Sequence, residues 1–184
     1  MTEISLNILD VAQNSVRAEA SLITLEIEID TASDSLTIRI LDDGSGMSEE
    51  QVQKVTDPFF TTRDTRKIGL GVPFFKEAAL SAGGSFGITS EQGKGTEVKA
   101  VFSLSHIDRQ PLGDITGTLE TLVFYNTGMD FVYRYSVDGK GFSLDTREIR
   151  EILDGLPIDA PEVKEYISGY LRENTAEVNN GRIY

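Results

Sequence analysis

The sequence predicts an α+β fold, and three observations carry that expectation. Residues 21–29 and 36–40 alternate between apolar and polar side chains: Ile23, Leu25, Ile27 and Ile29 against Thr24, Glu26 and Glu28, then Leu36, Ile38 and Ile40 after a polar turn at 31–35. A period of two with a turn between is the pattern of a half-buried antiparallel pair. A second pair at 85–90 and 97–104 flanks the glycine turn Gly93–Gly95, with Val98, Ala100, Phe102 and Leu104 alternating. Helical patterns at 4–19 and 72–82 lie outside both pairs. Strand pairs and helices in separate runs define the α+β class.

In chain order, the first helix is predicted over 4–19 from the stripe Leu6, Leu9, Ala12 and Val16. The glycine-rich loop 42–47 ends the second strand, a short helix follows at 49–55, and 57–67 reads as irregular. Pro73 suits the first turn of the helix over 72–82, where an amide has no intrahelical partner, and Gly83-Gly84 ends it. The composition changes after His106. Residues 1–107 form one unit, 108–114, with Pro111 and Gly113, read as a linker, and 115–184 read as a smaller α+β segment. Within that segment strands are expected at 120–125 and 131–137, and Asp138-Gly139 signals a hairpin turn into Phe142 and Leu144. Two helices are expected after it, each begun by a capping box with an apolar staple: Asp145 with Glu148 and Leu144 with Ile149, then Asp159 with Glu162 and Ile158 with Val163. The tail after Asn174 is expected to fray. A segment of this size is marginal alone and is expected to pack on the first unit or on a partner.

The chain has 184 residues, 17 basic and 30 acidic, for a net charge of −13. That balance argues against a general nucleic-acid binder, which needs cationic surface to neutralise phosphates, but leaves room for a local basic pocket. Hydrophobic residues are 39% of the chain, enough for an ordinary core. There is no cysteine, so disulfides, thiolate metal sites and cysteine nucleophiles are excluded. One histidine, His106, is too few for a His-rich metal site. No apolar run is long enough to span a membrane and the N-terminus lacks the pattern of a signal peptide, so a soluble cytoplasmic protein is expected.

Four short features carry possible chemistry. Asp10, Asn14 and Arg17 share one helix face at i, i+4 and i+7. An Asn oxygen is a neutral, hard ligand suited to magnesium, and a carboxylate one turn earlier can activate a water; a solvated helix face is the plainer alternative. In Asp42-Asp43-Gly44-Ser45-Gly46-Met47 the glycines admit a close ligand, and Asp42 can accept from an exocyclic amine such as adenine N6; the alternative is a polar turn. An EF-hand register fails there, because Arg39 falls at the first ligand position. Gly69-Leu70-Gly71 opens a helix whose amides suit phosphate, but the spacing of a dinucleotide fingerprint is missing. Gly93-Lys94-Gly95-Thr96 is a second glycine turn.

Taken together, these features resemble in order and spacing the nucleotide-binding boxes of the gyrase–Hsp90–histidine kinase–MutL ATPase superfamily. Leu9–Ala20 (LDVAQNSVRAEA) resembles its N box, DDGSGM its G1 box, Asp57–Arg63 (DPFFTTR) the F box of histidine kinases, Ile68–Phe75 (IGLGVPFF) the G2 box and GKGT the G3 element. The resemblance spans about residues 4–105. It implies a two-layer α/β sandwich of the Bergerat type, with a mixed sheet on one side, helices on the other and Mg²⁺-ATP held between them under a lid. It further implies that Asn14 holds Mg²⁺, Asp42 reads adenine, Gly44 and Gly46 make room for the base and Met47 packs near it. Gly69, Leu70 and Gly71 would cradle the phosphates, Thr96 would support the base, and Phe59 and Phe60 would anchor the lid. Arg17, Arg63 and Lys67 are candidate phosphate contacts.

The sequence departs from that pattern in three places. Where ATP-hydrolysing members carry Glu, this chain has Asp10, one methylene shorter, and a displacement of about 1 Å can cost about 100-fold in rate. Lys67 replaces the first glycine of the G2 box, and the lid between Arg63 and Gly69 is short. His106 ends a strand and does not sit on a dimerisation helix. The expectation is therefore an ATP-binding signalling protein, either a stand-alone kinase acting on a partner protein's Ser, Thr or His with Asp10 as base, or an ATP/ADP-gated binding module. The segment 115–184 is expected to contact the partner, with neither nucleic acid nor membrane involved.

Overall fold

The computed structural model describes residues 3–56 and 71–184. Its order is α1 (Ile4–Arg17), β1 (Leu22–Asp30), β2 (Ser35–Asp42), α2 (Glu49–Val55), α3 (Gly71–Ser81), β3 (Ser85–Glu91), β4 (Gly95–Ser103), α4 (Ile115–Tyr125), β5 (Asp130–Val137), β6 (Lys140–Asp145), α5 (Thr146–Leu153) and α6 (Pro161–Asn179). The strands form one sheet in the order β3-β4-β2-β1-β5-β6. All neighbours are antiparallel except β1 and β5, which run parallel with Leu25 opposite Tyr133, so the sheet is mixed and the fold is α+β. Among the described residues no helix is long and apolar enough to cross a membrane.

The alternation seen in the sequence sorts the two sheet faces. Ile23, Leu25, Ile27 and Ile29 of β1, Leu36, Ile38 and Ile40 of β2, and Val98, Ala100 and Phe102 of β4 are buried under the helices. The opposite face carries a charge ladder in which Arg39 bridges Glu97 at 3.0 Å and Glu26 at 2.7 Å, and Arg134 reaches Glu26 at 2.5 Å. In the helical layer α1 touches α3 on one side and α4 on the other, and α6 packs on α4. One continuous apolar cluster runs from Ile4 to Leu171.

Five local expectations are corrected. The buried side of α1 is Ile4, Ile8, Val11 and Ala12, with Ser5, Asn7 and Ser15 on the same side; of the expected stripe Ala12 is buried and Leu9 and Val16 are half-buried against the core, whereas Leu6 is 41% exposed. Both sets fit a helical period, and the polar members of the buried set hid it. Residues 120–125 are the end of α4, not a strand. Ile115, Leu119, Leu122 and Val123 recur at helical spacing and are buried, and the Asp114 carboxylate accepts the Gly117 amide at 2.8 Å. The β-preferring run Thr121–Tyr125 is overridden by packing of that face. Asp145 caps α5 through the Arg147 amide at 2.9 Å, without Glu148, and α6 begins at Ala160 with Pro161 in its first turn and no side-chain cap from Asp159. The chain after Asn174 does not fray. It continues α6, and the Tyr184 carbonyl accepts the Leu112 amide at 2.8 Å.

The stretch 108–114 is held by its neighbours, since the Ile4 and Ser5 amides donate to Pro111 and Leu112 at 3.0 and 2.9 Å. The segment 115–184 adds β5 and β6 to the same sheet as β1–β4. At its hairpin, Asp138 and Gly139 adopt φ of 51° and 77°, the left-handed pair that a two-residue turn between twisted strands requires.

Candidate functional site

A cavity of about 470 Å³ opens between the C-terminal half of α1, the ends of β2 and β4, α2 and the start of α3. Its inner wall is apolar (Val11, Ile40, Val72, Ile88 and Val98), and its polar groups converge from a few positions: Asn14, Ser15, Arg17, Asp42, Lys54 and Thr96. An apolar pocket with few placed polar groups is the form of a small-molecule site.

Asp42 is the best-held of these groups. It ends β2, and its carboxylate accepts the Ser15 hydroxyl at 2.5 Å through one oxygen and the amides of Gly44 at 3.0 Å and Thr96 at 3.2 Å through the other. The donors come from α1, the glycine loop and β4, so three elements fix one carboxylate. An ionised carboxylate has about four lone-pair positions, so these bonds leave one for a ligand donor. Its neighbour Asp43 turns away to cap the start of β1, accepting the amides of Ser21 at 2.7 Å and Leu22 at 2.9 Å. Burial pushes the Asp43 carboxyl up, but the bonds from Ser21 and Leu22 outweigh it and hold the group below its ordinary value.

The loop after Asp42 is clamped by backbone. Ser45 donates to the Ala18 carbonyl at 2.9 Å and accepts the Gly93 amide at 2.8 Å. Met47 donates to Ser90 Oγ at 2.8 Å, and that hydroxyl lies 2.8 Å from Thr96 Oγ1. Gly46 lines the cavity with φ of 63°, and a Cβ there would lie 2.0 Å from the Glu91 carbonyl oxygen. At Gly44 a Cβ would meet the Ala18 carbonyl oxygen at 2.8 Å. The space these glycines leave is therefore filled by neighbouring backbone, which sets the loop against α1 and the β3–β4 turn.

Of the residues singled out in the sequence, Asn14, Arg17, Asp42, Gly46, Met47 and Thr96 meet in the cavity wall. Asn14 presents an oxygen donor that now accepts Arg17 Nη1 at 3.0 Å, a solvent-exposed bond that a cation or phosphate can displace. An amide oxygen at the mouth of the cavity suits magnesium, which keeps water and phosphate as its other ligands. Asp10 lies one turn earlier on α1, outside the described wall, and packs on α3 where a Cβ on Gly71 would meet Asp10 Cβ at 2.6 Å. Phe59, Phe60, Arg63, Lys67, Gly69 and Leu70 lie outside the described residues. The sequence reading did not single out Ser15, Ser90 or Lys54. The capping box of Ser48 and Gln51 signals α2 and with it Lys54, which pairs with Glu50 on the same helix. Nothing local marks Ser15, whose partner is 27 residues away, while Ser90 joins Met47, 43 residues away, to Gly95 and Thr96 of its own hairpin.

Residues 2–106 match the family described as histidine kinase-, DNA gyrase B-, and HSP90-like ATPase. The chain belongs to this family. The ATPase-family region is similar to sporulation kinase D of Bacillus subtilis, 33% identical over 98 residues that are 53% of this chain and 19% of that one. It is also similar to the sensor histidine kinase WalK of Bacillus subtilis, 32% identical over 97 residues, 50% of this chain and 16% of that one. The chain thus spans less than a fifth of the length of either kinase. In fold it is similar to the MutL ATPase domain of Aquifex aeolicus complexed with ADP, with a TM-score of 0.50 at 15% identity over 84% of this chain and 70% of that one. Residues 2–106 are an ATP-binding domain of the kind that histidine kinases share.

Proposed function

We propose that the protein is a cytoplasmic signalling kinase that binds Mg²⁺-ATP in this cavity and transfers the γ-phosphate to a partner protein's Ser, Thr or His. The observation that carries the reading is the convergence of Asn14, Asp42 and Thr96, from the N, G1 and G3 elements, on one apolar pocket. The kinase-like stretch DPFFTTR and the similarity to kinases support transfer over other outcomes. Asp42 accepts the exocyclic amine of adenine, and the apolar wall takes the ring. Asn14 would hold magnesium through its amide oxygen, and the bound metal would neutralise phosphate charge. Arg17 leaves Asn14 to meet phosphate. Asp10 removes the proton of an acceptor hydroxyl as its oxygen bonds to the γ-phosphorus, the bond to the β–γ bridging oxygen breaks and ADP departs. His106, the chain's one histidine, accepts the Asp108 amide through Nδ1 at 3.2 Å in the turn after β4, which supports an acceptor on a partner protein.

The experiment is transfer of radiolabel from γ-labelled ATP to proteins of the native extract, comparing wild type with Asn14→Ala. A labelled partner that disappears in the variant is expected, and an extract in which wild type labels nothing defeats the kinase reading. One observation favours a second reading, an ATP/ADP-gated binding module without turnover: Asp10 packs on Gly71, outside the described cavity wall. That reading predicts partner affinity that differs among ATP, ADP and no nucleotide, and equal affinity in all three states excludes it.

A further inference from the structure

A second cavity of about 430 Å³ lies at the other end of α1, between the start of α4, β5 and the last turn of α6 with the residues after it. Its lining includes Tyr133, which is 1% exposed and whose hydroxyl has no hydrogen-bond partner among the described residues. An unpaired buried hydroxyl is costly and calls for a partner that the described residues do not supply. Burial pushes the Tyr133 hydroxyl well above its ordinary pKa, so it stays a donor. Beside it Tyr135 donates to Asn179 Oδ1 at 2.6 Å, which leaves the Asn179 amide hydrogens as further donors.

The charged groups of the lining have both signs. Arg182 is held only loosely, 3.9 Å from Asp138 and 3.5 Å from the Tyr184 hydroxyl. Glu3 and Asp114 bring carboxylates, each with one oxygen engaged by a neighbour: Glu3 Oε2 by the Ser5 hydroxyl at 3.2 Å, Asp114 Oδ1 by the Gly117 amide at 2.8 Å. A ligand of a single charge meets a like charge on this wall, whereas a zwitterion meets an opposite charge at both ends. The apolar side chains of Leu112 and Ile115 complete the lining.

We propose that this cavity binds a free α-amino acid, with its carboxylate toward Tyr133, Asn179 and Arg182 and its ammonium toward Glu3 and Asp114. The site is separate from the ATP cavity, and α1 runs between them: Glu3, its N-cap, lines this cavity, and Asn14 and Ser15 in its last turn line the other. The proposal stands whether or not the protein is a kinase.

The test is calorimetry on the full chain with glycine, L-leucine and L-phenylalanine, with acetate and ethylamine as probes that carry one charge each. At least one amino acid is expected to bind at millimolar concentration or better, and the single-charge probes about tenfold more weakly or worse. Tyr133→Phe is expected to weaken the amino acid about 3- to 10-fold and Arg182→Ala about tenfold or more, with ATP binding as in wild type. Absence of binding by all three amino acids overturns the proposal, as does acetate binding as tightly as they do. So does an unchanged affinity in Tyr133→Phe; if that variant fails to fold, the exposed Arg182→Ala decides in its place.

Discussion

Replacing Asp42 by Asn tests the nucleotide site with little disturbance of the fold. The carboxylate accepts three bonds in the protein: Ser15 Oγ on one oxygen, and the Gly44 and Thr96 amides on the other. An Asn keeps the shape and one acceptor oxygen. The two amides are obligate donors, so the Asn oxygen turns toward them and its NH₂ toward Ser15. The Ser15 hydroxyl can rotate to accept, so all three protein bonds survive in neutral form. The cost to folding is then about 1 kcal/mol, the difference between charged and neutral hydrogen bonds. The ligand position changes more, because an NH₂ now stands where an acceptor faced the adenine amine. Loss of a charge-assisted bond is worth about 1.5–3 kcal/mol, or about 10- to 150-fold in affinity. Inosine triphosphate, with a carbonyl oxygen in place of the amine, loses less or gains. Calorimetry with both nucleotides on both proteins, alongside a thermal melt, reads these terms separately. A folded Asp42→Asn protein that binds ATP within about twofold of wild type refutes the assignment of Asp42 to the base.

Three further outcomes are expected. Asn14→Ala abolishes the dependence of ATP affinity on Mg²⁺ and leaves metal-free binding near wild type; titration with and without the metal checks it. Gly46→Ala forces a Cβ onto the Glu91 carbonyl oxygen at a positive φ, so a loss of about 1–3 kcal/mol in denaturant unfolding, together with weakened ATP binding, is expected. Stability falls at low pH through carboxyls held below their ordinary value. These include Asp34, by the hydroxyls of Ser103 and Ser105; Asp43, as described; and Asp145, by Arg147. A folded-state pKa that is lowered stabilises fully above the unfolded value, about 3.9, and that stability is lost as pH falls through the folded value. The denaturation midpoint is therefore flat down to about pH 5 and drops below about pH 4, less steeply in Asp34→Asn; the same slope in both proteins contradicts this account.

Where one face of a segment meets the core and the other meets water, the residues themselves declare it. That holds for β1, β2 and β4, whose alternation anticipates their buried faces, and for α3, where Val72, Phe75 and Ala79 are buried at helical spacing. Turn chemistry is equally local, as at Asp138-Gly139 and Gly83-Gly84. The nucleotide boxes were legible for a related reason, because each is a short run with its own backbone requirement. Six of the residues read from them stand together in one cavity wall.

Other features depend on contacts between distant parts of the chain, which a period or a turn signal does not encode. The run at 120–125 has the composition of a strand, and α4 forms there because its apolar face finds α1 and α6. The buried side of α1 mixes Ile with Ser and Asn, so only the neighbouring α3 and α4 decide which side faces in. Ser15 becomes a partner of Asp42 because α1 crosses the end of β2, and the second cavity exists because the last residues return to Leu112. Composition and motif thus determined the class and the ATPase family. Tertiary packing decided which buried polar groups find partners, and left the Tyr133 hydroxyl without one among the described residues.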